Sequence, residues 1–573
     1  MKTSYFKNNR AVYYVAVICS FIIMSAFFVA PFWHRNIIYF GDDLPYHIMR
    51  ITEMAANLRS GHLFTWIYTN TQQFGRIGFP LNLFYPWITT FPFVILFNIF
   101  HNPVHAIYFG FMLYAFLAFV IMYLASYKFS QSRLVAYVSS VLYVFSNYFA
   151  INTYTRFDIG EFVSMVFLPI AFYGFYAVLA GNYRDWKYLS IGLSLIMLSH
   201  VLTTWICINA FILLTLILWW FVNDKKKRLL SLAKSIGLFI LCTAVFVFPF
   251  LEQELYQAFE LPTQYDLGKT AGSLSDTLMQ SLNNNMLNYV DKNSYNIGLS
   301  MLVIFFVGIF VYRKLSVKVK GVFLVGAITF ICSTSAFPWF LMNHSPLKPI
   351  QYPTRLFTIS TLCLALVSGY LFKIYLGNQR RLVKYSVILL AILTVQAVWL
   401  SSVNRFENSA NSYRIWHYAP ENSESGIWGP MYIEQYTPQR GQKYLKGVVK
   451  HQARLDGHTV SLKDKQVISR PNAIEYVLPK MKDKSQNIDL PMFSYRNIQA
   501  FASDGQHLQS WVSARGTVKV KLPNHNNRVV LKYVPSIIDI FSIAISLLTW
   551  VLLIVQGAWR ALISRKNINN VTN

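Results

Sequence analysis

Two adjacent carboxylates followed by an imidazole stand just past the first long apolar run, in Gly41-Asp42-Asp43-Leu44-Pro45-Tyr46-His47. Pro45 fits the first turn of a helix, and an aspartate just before it is a natural N-cap. In such a helix Asp43, His47 and Arg50 recur at i, i+4 and i+7 and share one face. Hard oxygen donors beside an imidazole suit a divalent ion, Mg or Mn, or a general base. An ordinary cap with a solvated helix face would use the same residue types.

Four other groups bear on that choice. Arg156-Phe157-Asp158-Ile159-Gly160-Glu161 puts three charges in six residues at a membrane boundary. A helix dipole accounts for Glu161 alone. Arg156 and Asp158, placed beside Asp43, could complete a metal or substrate site. In Gln351-Tyr352-Pro353-Thr354-Arg355 the guanidinium can snorkel to lipid phosphate or grip the phosphate of a lipid-linked donor. His200, with Thr203 and Thr204, falls at an expected turn, where a structural hydrogen bond competes with a role in the site. The run Phe79–Trp87, with Tyr85 and Trp87, reads as an interfacial aromatic belt or as faces for stacking sugars.

The elements that position these residues are set by composition. The 573 residues are 54% hydrophobic, 17% aromatic and only 13% charged, about half the charge of a soluble protein. Apolar runs of about 20 residues recur, which defines an α-helical polytopic membrane protein. The first run is too long for a typical signal peptide core and has no small-residue cleavage site after it. The chain carries 51 Lys and Arg against 24 Asp and Glu, a formal charge of +27. Such a surplus suggests nucleic acid, but the basic residues lie mainly in short segments between apolar runs. That is the positive-inside pattern, so the partner is membrane lipid and not nucleic acid. The five cysteines all fall in apolar runs without a CxxC, as small buried residues. Cysteine-free outer segments suit a bacterial cell surface.

Lys2, Lys7 and Arg10, with later clusters such as Lys225–Arg228 and Arg380–Arg381, place both termini in the cytoplasm. Parity then requires about twelve spans, near 11–33, 104–126, 134–150, 160–180, 187–200, 204–223, 231–251, 296–313, 321–341, 356–376, 384–402 and 535–557. The short apolar stretch 88–100 is left as a helix at the outer interface, and the amphipathic 47–60 as one lying on the outer surface. Outer segments follow at 34–103, 151–159, 252–295 and 343–355. Residues 1–402 form the membrane region, and 534–573 the last span and tail. Residues 403–533 form an outer segment of domain size. Its stretches 516–523 and 528–533 alternate apolar and polar with period two, so it is expected to be β-rich. All the candidate residues fall on the outer side of this topology.

The segment with GDDLPYHIMRI and FGRIGFPLNLFYP, the RFDIGE loop, the SHVLTT turn and the QYPTRL segment resemble the bacterial membrane family labelled 6-pyruvoyl-tetrahydropterin synthase-related. The resemblance covers about residues 1–402, and nothing in it looks like a pterin-synthase zinc site. That family is similar to GT-C glycosyltransferases, which implies a GT-C-like helical bundle and a polyprenyl-phosphate sugar donor. By position, Asp43 matches the catalytic acid, Glu161 and Asp158 the second acidic position, and Arg355 a donor-phosphate residue. Asp42 stands where a His is common, which leaves open which acid is the base.

The resulting expectation is an inverting membrane glycosyltransferase. Asp43, with Asp42 and His47, would activate an acceptor hydroxyl, and Arg355 and Arg156 would hold the donor phosphate. Asp43, Asp158 and Glu161 would hold any divalent metal, with His200, Tyr85, Trp87 and Gln351 near the substrate. No organic cofactor is expected, and the acceptor would be an extracytoplasmic glycopolymer of the cell envelope. A transporter or flippase would call for charge near mid-bilayer or repeated halves. Neither is evident, and a non-catalytic scaffold would tolerate loss of the acidic residues.

Overall fold

The computed structural model describes residues 2–35, 37–39, 41–61, 68–100, 102–286, 295–408, 415–417, 432–455, 457–479, 486–523 and 526–570. Parts of the expected outer segments, 287–294 and 418–431 among them, lie outside the described residues. The chain divides into two compact units. The first holds Met1–Ile51, Ile88–Arg228 and Thr263–Ile427, and the second Thr52–Trp87, Leu229–Pro262 and Trp428–Asn573.

Helices form at all twelve expected positions among the described residues. Eight are long and apolar enough to cross a membrane, and the pair Arg133–Val144 and Asn147–Thr155, bent by 46°, meets the same length and composition as a broken span or re-entrant loop. The other three, Lys187–Met197, Leu299–Phe310 and Val317–Cys332, have 11, 12 and 16 residues. The last two are short because 3-10 turns, Tyr312–Lys314 and Trp339–Met342, take up chain that hydropathy alone assigns to the span. The stretch 88–100 is a short helix, Phe91–Ile99, behind a single turn of 3-10 helix.

In the first unit the helix Ile159–Leu179 packs on Lys187–Met197 with almost no space between backbones. A Cβ on Gly174 would lie 2.0 Å from the Leu189 nitrogen, and one on Gly192 would lie 2.4 Å from the Ala171 nitrogen. Small residues permit this approach, and the reward is dispersion contact along both helices. Phe28 stacks on Trp399 with centroids 5.3 Å apart, one of many ring contacts made by the first helix. A short antiparallel ladder joins strand β1, Ile37–Tyr39, to β2, Ile415–His417. The cysteines are all free: Cys207, Cys242 and Cys363 are buried, Cys332 half-buried and Cys19 exposed.

The second unit contains the β domain. Its strands are β3 (Gln452–Leu455), β4 (His458–Ser461), β5 (Val467–Arg470), β6 (Ala473–Val477), β7 (Gln486–Phe493), β8 (Ile498–Ala502), β9 (His507–Leu508), β10 (Ser510–Val512), β11 (Thr517–Leu522) and β12 (Arg528–Tyr533). They form two five-stranded antiparallel sheets, ordered β10-β11-β7-β3-β4 and β5-β6-β12-β8-β9. The alternation seen in the sequence is the cause. Val518, Val520 and Leu522 of β11 and Val529 and Leu531 of β12 turn into one core, shared with Ile488, Leu490, Ile474 and Tyr476. Two helices accompany this sandwich. The Ser546 hydroxyl donates to the Leu241 carbonyl at 2.9 Å and accepts from the Val245 nitrogen at 3.0 Å, which pins Ile537–Asn570 to Lys225–Tyr256. Glu252 accepts from Asn497 at 2.9 Å and from Ser536 at 3.0 Å, tying the end of one helix to the β domain.

The helix Leu44–Arg59 departs from expectation. It is buried on nearly every side, with His47, Arg50, Glu53 and Asn57 at 2% exposure or less, whereas an amphipathic surface helix was expected. Its polar side chains are enclosed because they find partners. The Glu53 carboxylate accepts from the Thr71, Gln72 and Gln73 backbone nitrogens at 2.8–2.9 Å and from the Thr71 hydroxyl at 3.2 Å.

Because the Gly174–Gly192 crossing has no room for a side chain, Gly192→Val should destabilise the first unit by about 1–3 kcal/mol or more. Thermal unfolding in detergent will show this as a lowered midpoint, with Gly237→Val, which meets open space, as the neutral control.

Candidate active site

The site is built on the turn between two helices of the first unit. Tyr148, Asn152 and Arg156 follow one another at i, i+4 and i+8, so one helical face carries all three. The end of that helix is a single π-turn, Ile151–Thr155, a form frequent at functional sites. Phe157 then takes φ 56°, which reverses the chain sharply. Asp158 caps the next helix, its Oδ1 accepting from the Glu161 nitrogen at 2.8 Å. An aromatic residue at positive φ costs of order 1–3 kcal/mol, and Gln351, hydrogen-bonded to Arg355, also has a positive φ of 62°, with ψ −49°. Both strained residues adjoin an arginine of the site.

Glu161 is the centre of the charge network. One oxygen accepts from Arg156 Nη1 at 2.7 Å and from Arg355 Nε at 3.3 Å. The other accepts from the Tyr148 hydroxyl at 2.7 Å and the Thr358 hydroxyl at 3.2 Å. Arg156 also donates to Asp158 at 3.0 Å and to Asn152 at 2.9 Å. Arg355 donates through Nη1 to the Ile350 carbonyl and to Gln351 Oε1, at 2.9 and 2.7 Å. Its Nη2 makes no hydrogen bond among the described residues. The network is buried, with Arg156 at 6%, Glu161 at 1% and Arg355 at 7% exposure.

The Asp42-Asp43 turn docks on the same element. The Asp43 nitrogen donates to the Arg156 carbonyl at 3.0 Å. Gly41 makes this possible, since a Cβ there would lie 2.6 Å from the Thr155 oxygen. Asp43 precedes the helix that starts at Leu44, and its carbonyl accepts from the His47 nitrogen at 3.0 Å. Ligand atoms of Asp43, His47 and Asp158 all lie within 4.8 Å of one another. Asp42 is exposed and accepts from the Tyr295 hydroxyl at 3.4 Å. The two acids therefore occupy different environments, and the partly exposed Asp43 is the one turned toward the cluster.

Electrostatics sharpen the difference. Burial and the Asp158 carboxylate push the Asp43 carboxyl up to about 8, against the pull of Arg156 and Arg355. Burial also works against the charge of Asp158, but Arg156, His200 and His47 outweigh it and hold Asp158 below the usual carboxylate range. Burial, with Arg50 and His200 nearby, pushes the His47 imidazole down to about 3, so it is neutral at any physiological pH. His200 is likewise lowered by burial, and its Nδ1 lies 2.8 Å from the Thr203 hydroxyl.

Of the expected site residues, the structure gathers Asp42, Asp43, His47, Arg156, Asp158, Glu161, His200, Gln351 and Arg355 in the first unit. Glu161 does not join the potential metal ligands, because two guanidiniums and two hydroxyls already occupy its oxygens. His47 takes the place expected for it. Two carboxylate oxygens and a neutral imidazole suit a divalent ion such as Mg, Mn or Zn. Tyr85 and Trp87 belong to the second unit, and Trp87 is 1% exposed in an edge contact with Tyr68, so its ring presents no open face to a sugar. Tyr148, Asn152, Thr358 and Tyr295 were missed by sequence reasoning. The first three carried a signal, the 3.6-residue spacing from Arg156 and Arg355. Tyr295 stands in a loop without periodicity.

Residues 84–405 match the model of the 6-pyruvoyl-tetrahydropterin synthase related domain, described as a membrane protein. The chain belongs to that family. The match contains Arg156, Asp158, Glu161, His200 and Arg355 and starts after the Asp42–Arg50 segment. Among curated proteins none matches significantly. Among solved structures the chain is similar to the crystal structure of ArnT from Cupriavidus metallidurans bound to undecaprenyl phosphate. That chain is 10% identical, with 77% of this chain and 72% of that one covered and a TM-score of 0.37.

Glu161 neutralises two buried guanidiniums at once. Glu161→Ala should cost about 3–5 kcal/mol through the charges left unpaired. Thermal unfolding of the purified protein measures this, and Asp42→Ala, at an exposed site, should leave the midpoint unchanged.

Proposed function

We propose that this protein is a membrane glycosyltransferase that moves a sugar from a polyprenyl-phosphate donor to an acceptor outside the membrane. One observation carries the reading. Acids and guanidiniums from three separate stretches of chain, around Asp43, Asp158 and Arg355, form one cluster: Asp43 lies beside Asp158, Arg156 ties Asp158 to Glu161, and Arg355 reaches the same glutamate.

The chemistry follows from the roles these groups can play. Asp43 is the carboxylate with no salt bridge to a guanidinium among the described residues, and its raised proton affinity suits a base working near neutral pH. It takes the proton of the acceptor hydroxyl. The oxygen attacks the anomeric carbon as the bond to the donor phosphate breaks, which inverts that centre. Negative charge grows on the departing polyprenyl phosphate. The Arg355 guanidinium, with no hydrogen bond at Nη2 among the described residues, offers that phosphate a charge-assisted donor, and Arg156 adds to the local positive potential. Glu161 holds both guanidiniums in place and takes no part in the transfer. The neutral His47 and His200 imidazoles supply hydrogen-bonding groups without adding charge.

Asp43, His47 and Asp158 are also the residues that would hold a divalent ion, which would supply further neutralisation of the phosphate when bound. The acceptor we propose is an anionic glycopolymer of the cell envelope. The excess of basic residues in the β domain motivates this choice.

Asp43→Asn should lower transfer by about two to four orders of magnitude with normal abundance in the membrane. The readout is a radiolabelled-donor assay in vesicles, and full activity would remove Asp43 from the mechanism. Arg355→Lys keeps the charge and loses the planar fork. It should raise the KM for the lipid donor about tenfold with a smaller change in kcat, and an unchanged KM would count against the phosphate role. Mass spectrometry of envelope glycopolymers from cells lacking the protein should show a missing hexose or N-acetylhexosamine.

A further inference from the structure

The outward face of the sheet β10-β11-β7-β3-β4 carries a feature that the transfer chemistry does not use. Strand register places Trp511 opposite Lys519, Lys519 opposite Asp489, Asp489 opposite Arg454, and Arg454 opposite Thr459. These five residues form a row across the whole sheet, on the side away from the core that Val518, Val520 and Ile488 fill. Trp511 is 38% exposed, and the Lys519 ammonium lies 5.9 Å from its ring centre. At the other end Arg454 and Lys443 lie 5.5 and 5.2 Å from the Tyr444 ring. Lys521 is exposed next to Lys519 on the same face.

The face is cationic by construction. Asp489 is the one carboxylate in the described strands of this sheet, and it is buried under Arg515, which donates to its two oxygens at 2.8 and 2.9 Å. The Thr517 hydroxyl donates to it as well. Lys519 and Arg454 stay half-exposed on either side of the buried Asp489, and Lys521 is exposed. The strands of the other sheet carry the same surplus, Arg470, Arg528 and Lys532 against Glu475, but there Glu475 engages two of the three strand cations, Arg470 at 3.1 Å and Arg528 at 2.7 Å. Between residues 428 and 534 the sequence carries 17 Lys and Arg against 7 Asp and Glu. An attractive field therefore surrounds the patch.

We propose that this sheet face binds an anionic polysaccharide, with Trp511 and Tyr444 stacking on sugar rings and Lys519, Lys521 and Arg454 pairing with its phosphate or carboxylate groups. The inference rests on the acceptor class proposed above and assigns it a surface. Dimensions favour a chain over a single headgroup. Strands lie about 4.8 Å apart, so Trp511 and Arg454, three strands apart, are separated by roughly 14 Å, the length of several linked units. A lipid surface would instead ask for protruding apolar side chains, and the row offers flat rings set beside cations.

The test uses the full-length protein in phosphatidylcholine nanodiscs, without donor, and measures binding of fluorescent poly(glycerol phosphate). Trp511→Ala and the triple change Lys519→Ala, Lys521→Ala, Arg454→Ala should each weaken binding about tenfold or more, and the triple variant should lose its salt dependence. Trp511→Phe should restore most of the affinity, which a misfolded domain would not. Lys463→Ala with Lys465→Ala, exposed on the same domain, should bind as wild type. Unchanged binding in the Trp511 and triple variants overturns the proposal, as does equal loss in the control pair. Competition by neutral dextran as strong as by poly(glycerol phosphate) overturns the charged ligand, and equal capture by phosphatidylglycerol vesicles assigns the face to lipid. Asp43→Asn should bind normally, so a failure of the catalytic reading leaves this result standing and the reverse also holds.

Discussion

A single buried carboxylate organises the first unit. Glu161 holds Arg156 and Arg355 together from helices nearly two hundred residues apart in sequence, and Tyr148 and Thr358 complete its shell. Burying three charges carries a desolvation penalty of several kcal/mol per ion, offset only when every lone pair is used. Here they are used, so the cluster fixes geometry more than it adds stability. Its consequence reaches Asp43. With Arg156 committed to Glu161 and Asp158, Asp43 lies next to an ionised acid and has no salt bridge of its own among the described residues. An acid in that position binds a proton more readily than one in water, and a carboxylate that binds protons readily is a good base.

The sequence disclosed the ingredients of this arrangement and one of its distances. Helical spacing from Asp43 to His47 put both on one face, and the structure brings their ligand atoms together with one from Asp158. The spacing could not say what Glu161 does, because a helix dipole and two guanidiniums explain the same glutamate equally well from one dimension. Only the fold shows that its oxygens are occupied. The choice between Asp42 and Asp43 was open for a similar reason. The carbonyl of Arg156 sets the two apart by anchoring the Asp43 nitrogen, through a contact that a side chain at Gly41 would obstruct.

Fold legibility followed periodicity. The two stretches with strict alternation, 516–523 and 528–533, became β11 and β12, and the core residues are the ones the alternation marked. Hydropathy placed a helix at each of the twelve expected spans but overestimated the length of three, since it averages over turns. It misjudged the helix Leu44–Arg59, whose polar face resembled a surface. Glu53 shows why: a charge that can accept from three backbone nitrogens and a hydroxyl can be enclosed by protein. The aromatic run ending at Trp87 carried no information on whether its rings would be open or packed, and Trp87 is packed.

Arginine is used in opposite ways in the two units, and the contrast separates structure from recognition. Arg515 is buried, and both ends of its fork serve Asp489 and the backbone of its own domain. Arg355 is almost as buried, yet among the described residues one of its terminal nitrogens is left over after Glu161, Ile350 and Gln351 are served. A guanidinium has five donors in a fixed plane, so its unused edge points in a direction set by the edges that are bound. Orientation of that kind suits an anion whose oxygens are met along that edge. A phosphate or carboxylate fits that description, and an uncharged membrane interior does not.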